Sequence, residues 1–403
     1  MASNVFYFNP TCELAIANGS FSYMAPKLLR DFEEDCSMLP FIFSDADDYV
    51  VTENKPSLNF TQKLTEAGFN MPLFASMKEL MNVDSFHQLL PWGWSPAAHF
   101  LLKPLKEKCS DVFINSPVYN WQKEHQLLFE RKTSLNFLNT LLENYPLDIF
   151  IERHHTGTMV NSIAEIEGLL KRQQALVLKA PLSSSGRGIQ MIRKADLNTS
   201  NKQWITGILN QQGYLIAEPF LEKITDLSFQ FHIDQSGEPE YLGFSIFETN
   251  SNGQYKSTLI HPLTSGIGFD KSDSITEELI KTTAPLLTNH LKNSVFTKWH
   301  RGYLGIDAMV YQGIDKIQIQ PCIEINSRTN MGILTMQARK HLHPKAKGKF
   351  ELFYGRKSAF EHFAHRMMAD KPLKFLDGLP FSGFLALTEP DASKQFGAYI
   401  LLE

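Results

Sequence analysis

The stretch LVLKAPLSSSGRGI, residues 176–189, decides how this chain folds and what it can bind. Its first four residues read as a short strand, which delivers Lys179 to a fixed place at the strand end. The polar turn Ser183-Ser184-Ser185-Gly186-Arg187-Gly188 follows, and Ile189 to Ile192 is another apolar run. Backbone N–H groups of such a loop can wrap an anion, Gly186 and Gly188 permit close approach, and Lys179 and Arg187 add positive charge. Phosphate is the ligand this chemistry suits, and an exposed turn with one lysine is the plain alternative. No GKS or GKT ends the loop, so it is not a Walker A sequence, and it is not the GxGxxG of a dinucleotide fold either.

A second informative pair of segments is Gly305-Ile306-Asp307 and Gln320-Pro321-Cys322-Ile323-Glu324-Ile325-Asn326-Ser327-Arg328. Side chains alternate across a strand, so Cys322, Glu324 and Asn326 are expected on one face and Ile323 and Ile325 on the other. The short connection Gln312 to Lys316 makes the two segments antiparallel neighbours, which brings Asp307 to that polar face. Two carboxylates and an amide oxygen suit a hard divalent ion, and Mg²⁺ commonly takes one or two carboxylates plus substrate phosphates. The competing account is an amphipathic hairpin with a solvated face, weakened by the apolar company these acids keep. Between the two regions, Ala217-Glu218-Pro219-Phe220-Leu221 and Asp226-Leu227-Ser228-Phe229 read as two strands joined by a proline-containing connector. By composition alone that is an interdomain hinge.

Working outward, Val5 to Phe8, a helix near Ala25 to Phe32 and a strand at Leu39 to Phe43 alternate as in an α/β unit with a partly parallel sheet, running to about residue 120. Pro91-Trp92-Gly93-Trp94 reads as a turn with packed aromatics. From Glu130 to Asn144, Leu135, Phe137, Leu138, Leu141 and Leu142 have helical spacing, with Lys132 at the entrance. Asp148 to Glu152 reads as a strand, and Ser162 to Arg172 as a helix that Ser162 and Glu165 can cap. A small α+β unit is thereby inserted near residues 147–217. Beyond it, strands are expected near Tyr241–Glu248, Tyr303–Tyr311, Ile317–Asn326, Gly383–Thr388 and Ala398–Leu402, with helices at Ser274–Leu291 and Gly332–Ala338. Residues 249–272 read as a long loop, and such loops are often functional. The expected division is 1–120, 121–217 with a lid at about 147–217, and 218–403.

In this order, the lysine at the helix entrance, the strand lysine with its loop, the E-P-F-L hinge, the G-I-D strand and the E-I-N-S-R strand resemble the ATP-grasp superfamily over residues 130–332. The resemblance implies an α/β (α+β) ATP-grasp fold: an N-terminal Rossmann-like domain, a small lid, and a C-terminal antiparallel-sheet unit, with ATP gripped between the last two. It implies that Lys132 and Lys179 contact the phosphates and that Ser185, Gly186, Arg187 and Gly188 form the lid loop over them. Glu218 and the backbone around Leu221 would meet adenine, and Asp226 the ribose. Asp307, Glu324 and Asn326 would hold Mg²⁺, two ions in all and replaceable by Mn²⁺. Arg328 would lie near the transferred phosphoryl group or the substrate carboxylate, which makes Arg328 and Lys179 the catalytic candidates. The loop departs from a run of glycines, and Asp307 stands where many members carry Glu, yet every charged position is filled.

The implied activity is ligation of a small-molecule carboxylate to an amine through an acylphosphate, with release of ADP and phosphate. A kinase acting on a small-molecule hydroxyl and a non-catalytic nucleotide binder are the alternatives. Lys256, His261 and Arg301 are candidates for substrate contacts, because the long loop and the strand entrance could face the ATP site.

Composition agrees with this picture. With Lys+Arg 39 against Asp+Glu 43, the 403-residue chain has a net charge of −4 and no polycation signal for nucleic acid or anionic lipid. Hydrophobic residues at 43% exclude disorder, and the 30 scattered phenylalanines read as core filling. No apolar run reaches the roughly 18 residues of a membrane span. Cys12, Cys36, Cys109 and Cys322 lie far apart, so neither a disulfide framework nor a zinc site is indicated, and a reducing cytoplasmic setting and a homodimer are compatible expectations. His154-His155 on an extended chain would point apart, against a metal role.

Overall fold

The computed structural model describes residues 3–173, 175–183, 188–193, 197–250, 254–260 and 271–403. Four short strands open the chain: β1 (Val5–Tyr7), β2 (Tyr49–Val51), β3 (Leu73–Ala75) and β4 (Leu89–Pro91). They form a parallel sheet ordered β3-β2-β1-β4. Helices Leu58–Glu66 and Met77–Leu80 of the crossovers start at side-chain caps, with Ser57 accepting from the Phe60 N–H and Ser76 closing a capping box with Glu79. Leu39–Phe43, expected as a strand, is a 3₁₀ turn. Pro40 cannot donate to a ladder, and Leu39, Pro40, Phe41 and Ile42 are all buried, so this apolar run fills the core instead of joining a sheet.

The small unit is a sheet of β5 (Thr158–Val160), β6 (Leu176–Lys179), β7 (Ile189–Ile192) and β8 (Leu215–Pro219), ordered β5-β8-β6-β7 and antiparallel throughout. Helices Ile163–Gln173 and Thr199–Gln212 cover it through Ile166, Leu170 and Ile205. Ser162 Oγ accepts from the Glu165 N–H at 3.3 Å, while Glu165 reaches back to the Asn161 N–H at 2.8 Å, one residue earlier than a capping box requires. Residues 148–152 are no strand: Phe150 makes a single bridge to Ile319.

Nine strands build the large sheet: β9 (Glu222–Ile233), β10 (Pro239–Thr249), β11 (Tyr255–Ile260), β12 (Gly302–Gln312), β13 (Ile317–Asn326), β14 (Gly348–Tyr354), β15 (Lys374–Leu376), β16 (Leu379–Ala386) and β17 (Phe396–Leu402). Their order is β13-β12-β9-β10-β11-β14-β17-β16-β15. The span 249–272, read as a loop, thus contains β11 and the start of helix Lys271–Lys292. Alternation along β9 buries Leu227, Phe229, Phe231 and Ile233 against helices Arg131–Asn144 and Lys271–Lys292, and turns Asp226, Ser228 and Gln230 to the other face.

Helix Arg131–Asn144, grouped by sequence with the lid, therefore packs on the large sheet, and β8 continues through Pro219 past the expected 217/218 boundary. A second core joins Phe8, Phe41, Phe69 and Trp92 of the first unit to Phe350, Phe360 and Phe384 of the last. The phenylalanines do fill cores, as expected. No helix among the described residues is long and apolar enough to cross a membrane.

Candidate active site

The polar face of the large sheet carries the acids. Asp307 on β12 lies directly opposite Glu324 on β13 and opposite Ser228 on β9. Asn326, two residues on from Glu324, donates from Nδ2 to Asp307 Oδ2 at 2.9 Å. Three residues of β13, Pro321 to Ile323, run between the partners of Met309 and Asp307, where β12 has one, so the ladder bulges there. Pro321 sits in that bulge, and β13 is an edge strand, the two settings that tolerate a proline without an N–H. Because of the bulge, Cys322 is not on the polar face with Glu324 as simple alternation predicts. It is buried in the core beneath, and its Sγ donates to the Ser134 carbonyl.

Two arginines meet this cluster, and Lys179 pairs with Glu218 of the small sheet. Arg131, at the start of its helix, places Nη1 3.1 Å from Glu324 Oε2, and donates from Nε to the Ala180 carbonyl and from Nη2 to Ser183 Oγ. Lys179 closes β6 with Nζ 2.6 Å from Glu218 Oε2, both side chains largely buried. Arg328 donates from Nη2 to Asn326 Oδ1 at 3.0 Å and pairs with Glu13 at 2.8 Å.

The entrance cation inside the cleft is thus Arg131, while Lys132 is exposed. Helical spacing contained the signal: Arg131, Ser134, Leu138 and Leu141 share the buried stripe, and residue 132 is turned about 100° from residue 131. Arg131→Ala is expected to cost about 3–5 kcal/mol in urea unfolding by stranding Glu324. Lys132→Ala should stay within about 0.5 kcal/mol of the parent.

Glu218 pairs with Lys179, and Leu221 lies half-buried in the connector between β8 and β9. Asp226 lies within β9, not in the connector, on the same face as Asp307, bonded to Lys223 and to Thr249 Oγ1. Gly188 has little room: a Cβ there would come within 2.3 Å of Ser183 Cβ. Ser185, Gly186, Arg187 and His261 lie outside the described residues. Lys256 is exposed on β11, away from the acids, and Arg301 is held by the carbonyls of Gln235, Thr297 and His300.

Burial above all, with Glu324 opposing and Ser228 and Asn326 tempering, pushes Asp307 up to about 7 from an ordinary 3.8. Its stabilising contribution is complete below the unfolded value near 4 and is lost as pH rises through about 7. The metal-free protein should therefore melt lower at pH 8 than at pH 5.5 from this group. Added Mg²⁺ should raise the melting temperature more at pH 8, where Asp307 is ionised. A Mg²⁺ shift independent of pH would contradict this assignment. Two carboxylates and an amide oxygen form a donor set that fits a hard cation. The described cysteines are free and buried, and burial pushes the Cys12 and Cys322 thiols up, away from nucleophilic use.

Sequence reasoning missed two features. Glu13, on helix Cys12–Asn18, supplies the partner of Arg328 from 315 residues away. The Trp92-Gly93-Trp94 turn packs on the same arginine: Asn9 Nδ2 donates to the Gly93 carbonyl at 2.8 Å, and the Thr329 N–H donates to the Trp92 carbonyl at 2.8 Å. A Cβ at Gly93 would approach Cys12 Sγ to 2.4 Å and Arg328 Cβ to 3.2 Å. Elsewhere, residues 153–155 form a 3₁₀ turn and not an extended chain, so the His154 and His155 rings meet at 4.0 Å.

No protein-family model matches the chain, and no curated protein matches it in sequence. Solved structures do. Biotin carboxylase from Campylobacter jejuni, in a beta-gamma-ATP complex, superposes with a TM-score of 0.55 at 11% identity over 100% of this chain and 88% of the other. The biotin carboxylase domain of Hydrogenobacter thermophilus 2-oxoglutarate carboxylase, with MgADP and bicarbonate, gives 0.52 at 11% identity over 100% and 86%. The N5-carboxyaminoimidazole ribonucleotide synthetase PurK, as its ADP complex, gives 0.51 at 12% identity over 100% and 92%. The chain has the ATP-grasp fold. The match covers 100% of this chain, so it includes the N-terminal sheet and the helix Cys12–Asn18 that carries Glu13.

Proposed function

We propose that this protein is an ATP-dependent ligase that activates a small-molecule carboxylate and joins it to an amine. The observation that carries the reading is the meeting of Asp307, Glu324 and Asn326 with Arg131 and Arg328, Arg131 also bonding the Ala180 carbonyl at the end of the strand that carries Lys179.

Mg²⁺, in one or two ions and replaceable by Mn²⁺, would be held by Asp307, Glu324 and Asn326, and when bound neutralises phosphate oxygens. Lys179 and Arg131 place positive charge beside the lid strands, where the triphosphate lies. Each is paired with a carboxylate, so the cleft is pre-organised without excess charge. A carboxylate oxygen of the substrate attacks the γ-phosphorus, the bond to the bridging oxygen breaks, and ADP leaves with that electron pair. The amine then attacks the acyl carbon, phosphate departs, and the amine loses a proton to give the amide. Arg328, bonded to Asn326, would orient the acyl end. Glu218 and the backbone near Leu221 would border the base, and Asp226 would hold the ribose.

The test is ADP release with Mg-ATP over pooled small acids and amines, with mass detection of products. An amide plus free phosphate supports ligation, and a stable phosphoester would make the protein a kinase. Binding of ATP with no turnover for any pool would leave only a nucleotide-binding role.

A further inference from the structure

A cavity of about 350 Å³ lies between the C-terminal ends of the N-terminal strands and the large sheet, and Ser327, Arg328 and Thr329 form one side of it. Arg328 therefore links two places: Nη2 touches the acid cluster through Asn326, and the same residue lines this cavity. Tyr7, Phe43, Trp92, Trp94, Phe113 and Tyr303 line it as well. These rings pack on one another, with Phe43 5.6 Å from Tyr303 and Trp94 stacked at 6.0 Å on Phe113. The wall is thus a braced set of aromatic surfaces.

The polar groups on this wall have little bonding capacity left. A guanidinium has five N–H donors. In Arg328, Nε serves Glu13, Nη2 serves Glu13 and Asn326, and one Nη1 proton serves the Thr329 carbonyl, which leaves one on Nη1. The neighbouring Ser327 Oγ is fully buried and has no hydrogen-bond partner. A buried hydroxyl without a partner costs about 1–3 kcal/mol, so a ligand oxygen there removes a standing penalty. Two adjacent donors suit one carboxylate and fall short of what a phosphate dianion requires.

The charge on the wall selects sign. Arg301 and Arg328 both line the cavity, whereas its acid, Asp234, is exposed and already accepts from Ser236 and from the Glu238 N–H. An ammonium group would face two guanidinium groups. Small-molecule sites run from about 300 to 1,000 Å³, so this one, near the lower bound, suits a compact molecule of one or two rings.

We propose that the carboxylate substrate of this enzyme is an aromatic monocarboxylic acid, its ring among the Trp92, Trp94 and Tyr303 surfaces and its carboxylate on Ser327 Oγ and Arg328 Nη1. This rests on the ligase reading above and names the acid that is activated. The carboxylate then lies beside the arginine that touches the acid cluster, within reach of a phosphoryl group held there.

Calorimetric titration of the full chain tests it with indole-3-acetate, 4-hydroxyphenylacetate and benzoate, against succinate, glutamate and inorganic phosphate, with and without a Mg²⁺-bound non-hydrolysable ATP analogue. Aryl acids should bind about tenfold tighter than the aliphatic acids, since they bury more apolar surface and also pack ring against ring. Ser327→Ala should weaken aryl-acid binding about tenfold without lowering the melting temperature, because its hydroxyl has no partner to lose. Trp94→Leu should erase the preference for rings; if it fails to fold, Ser327→Ala decides. Equal or tighter binding of succinate, glutamate or phosphate overturns the proposal, and so does binding of the analogue with no member of the panel. Aryl-acid binding without analogue binding keeps the cavity assignment and removes the ATP reading.

Discussion

Glu324→Gln is expected to lower ADP release by at least about a hundredfold with the productive substrates, while the protein stays folded. Glu324 stands at the centre of the site, opposite Asp307 and 3.1 Å from Arg131. The amide has the same shape, so packing is retained, but one of the two carboxylates is lost and Arg131 is left without its counter-charge. Groups pre-organised around developing charge are typically worth about 10²–10³ in rate, which sets the scale. Coupled detection of ADP measures the loss, circular dichroism checks the fold, and the Mg²⁺-induced rise in melting temperature should shrink in parallel. Undiminished turnover would remove Glu324 from the site and with it the metal assignment.

Glu13→Ala should be nearly as damaging although the residue comes from the opposite end of the chain. Glu13 and Arg328 are both mostly buried and joined at 2.8 Å, and removing one member of such a pair costs about 3–5 kcal/mol. A freed Arg328 would no longer be aimed between Asn326 and the cavity, so kcat should fall about 10- to 100-fold, the usual effect of losing a group that orients a functional one. A purely structural role for Glu13 would lower the melting temperature and leave the kcat of the folded fraction unchanged. The positioning role predicts a fall in kcat and a rise in KM for the acid, with KM for ATP little affected and Glu13→Asp partly restoring activity.

Much of the architecture was legible because it rests on local periodicity. Strands β6, β8, β12 and β13 follow from period-two alternation and from Gly/Ser and Pro punctuation. The same alternation put Asp307, Glu324 and Asn326 together, and they do meet. Legibility failed where packing outweighed pattern. Leu39–Phe43 looks like a strand and is a buried turn, Lys132 yields the cleft to Arg131, and Cys322 is displaced by the bulge at Pro321.

Sequence alone thus determined the order of units, the polar strand face and the strand lysine, because each depends on residues within one or two elements. Tertiary structure alone decided that Glu13 meets Arg328, that the Trp92-Gly93-Trp94 turn walls a cavity, and that Arg131 pairs with Glu324. These contacts join residues far apart in the chain, and no periodicity connects an N-terminal helix with a strand end more than 300 residues later. The near-neutral net charge of −4 takes its meaning from the same source: the described cations that matter are few and each is folded against an acid, which is how a chain with no overall attraction for anions builds a cleft suited to one.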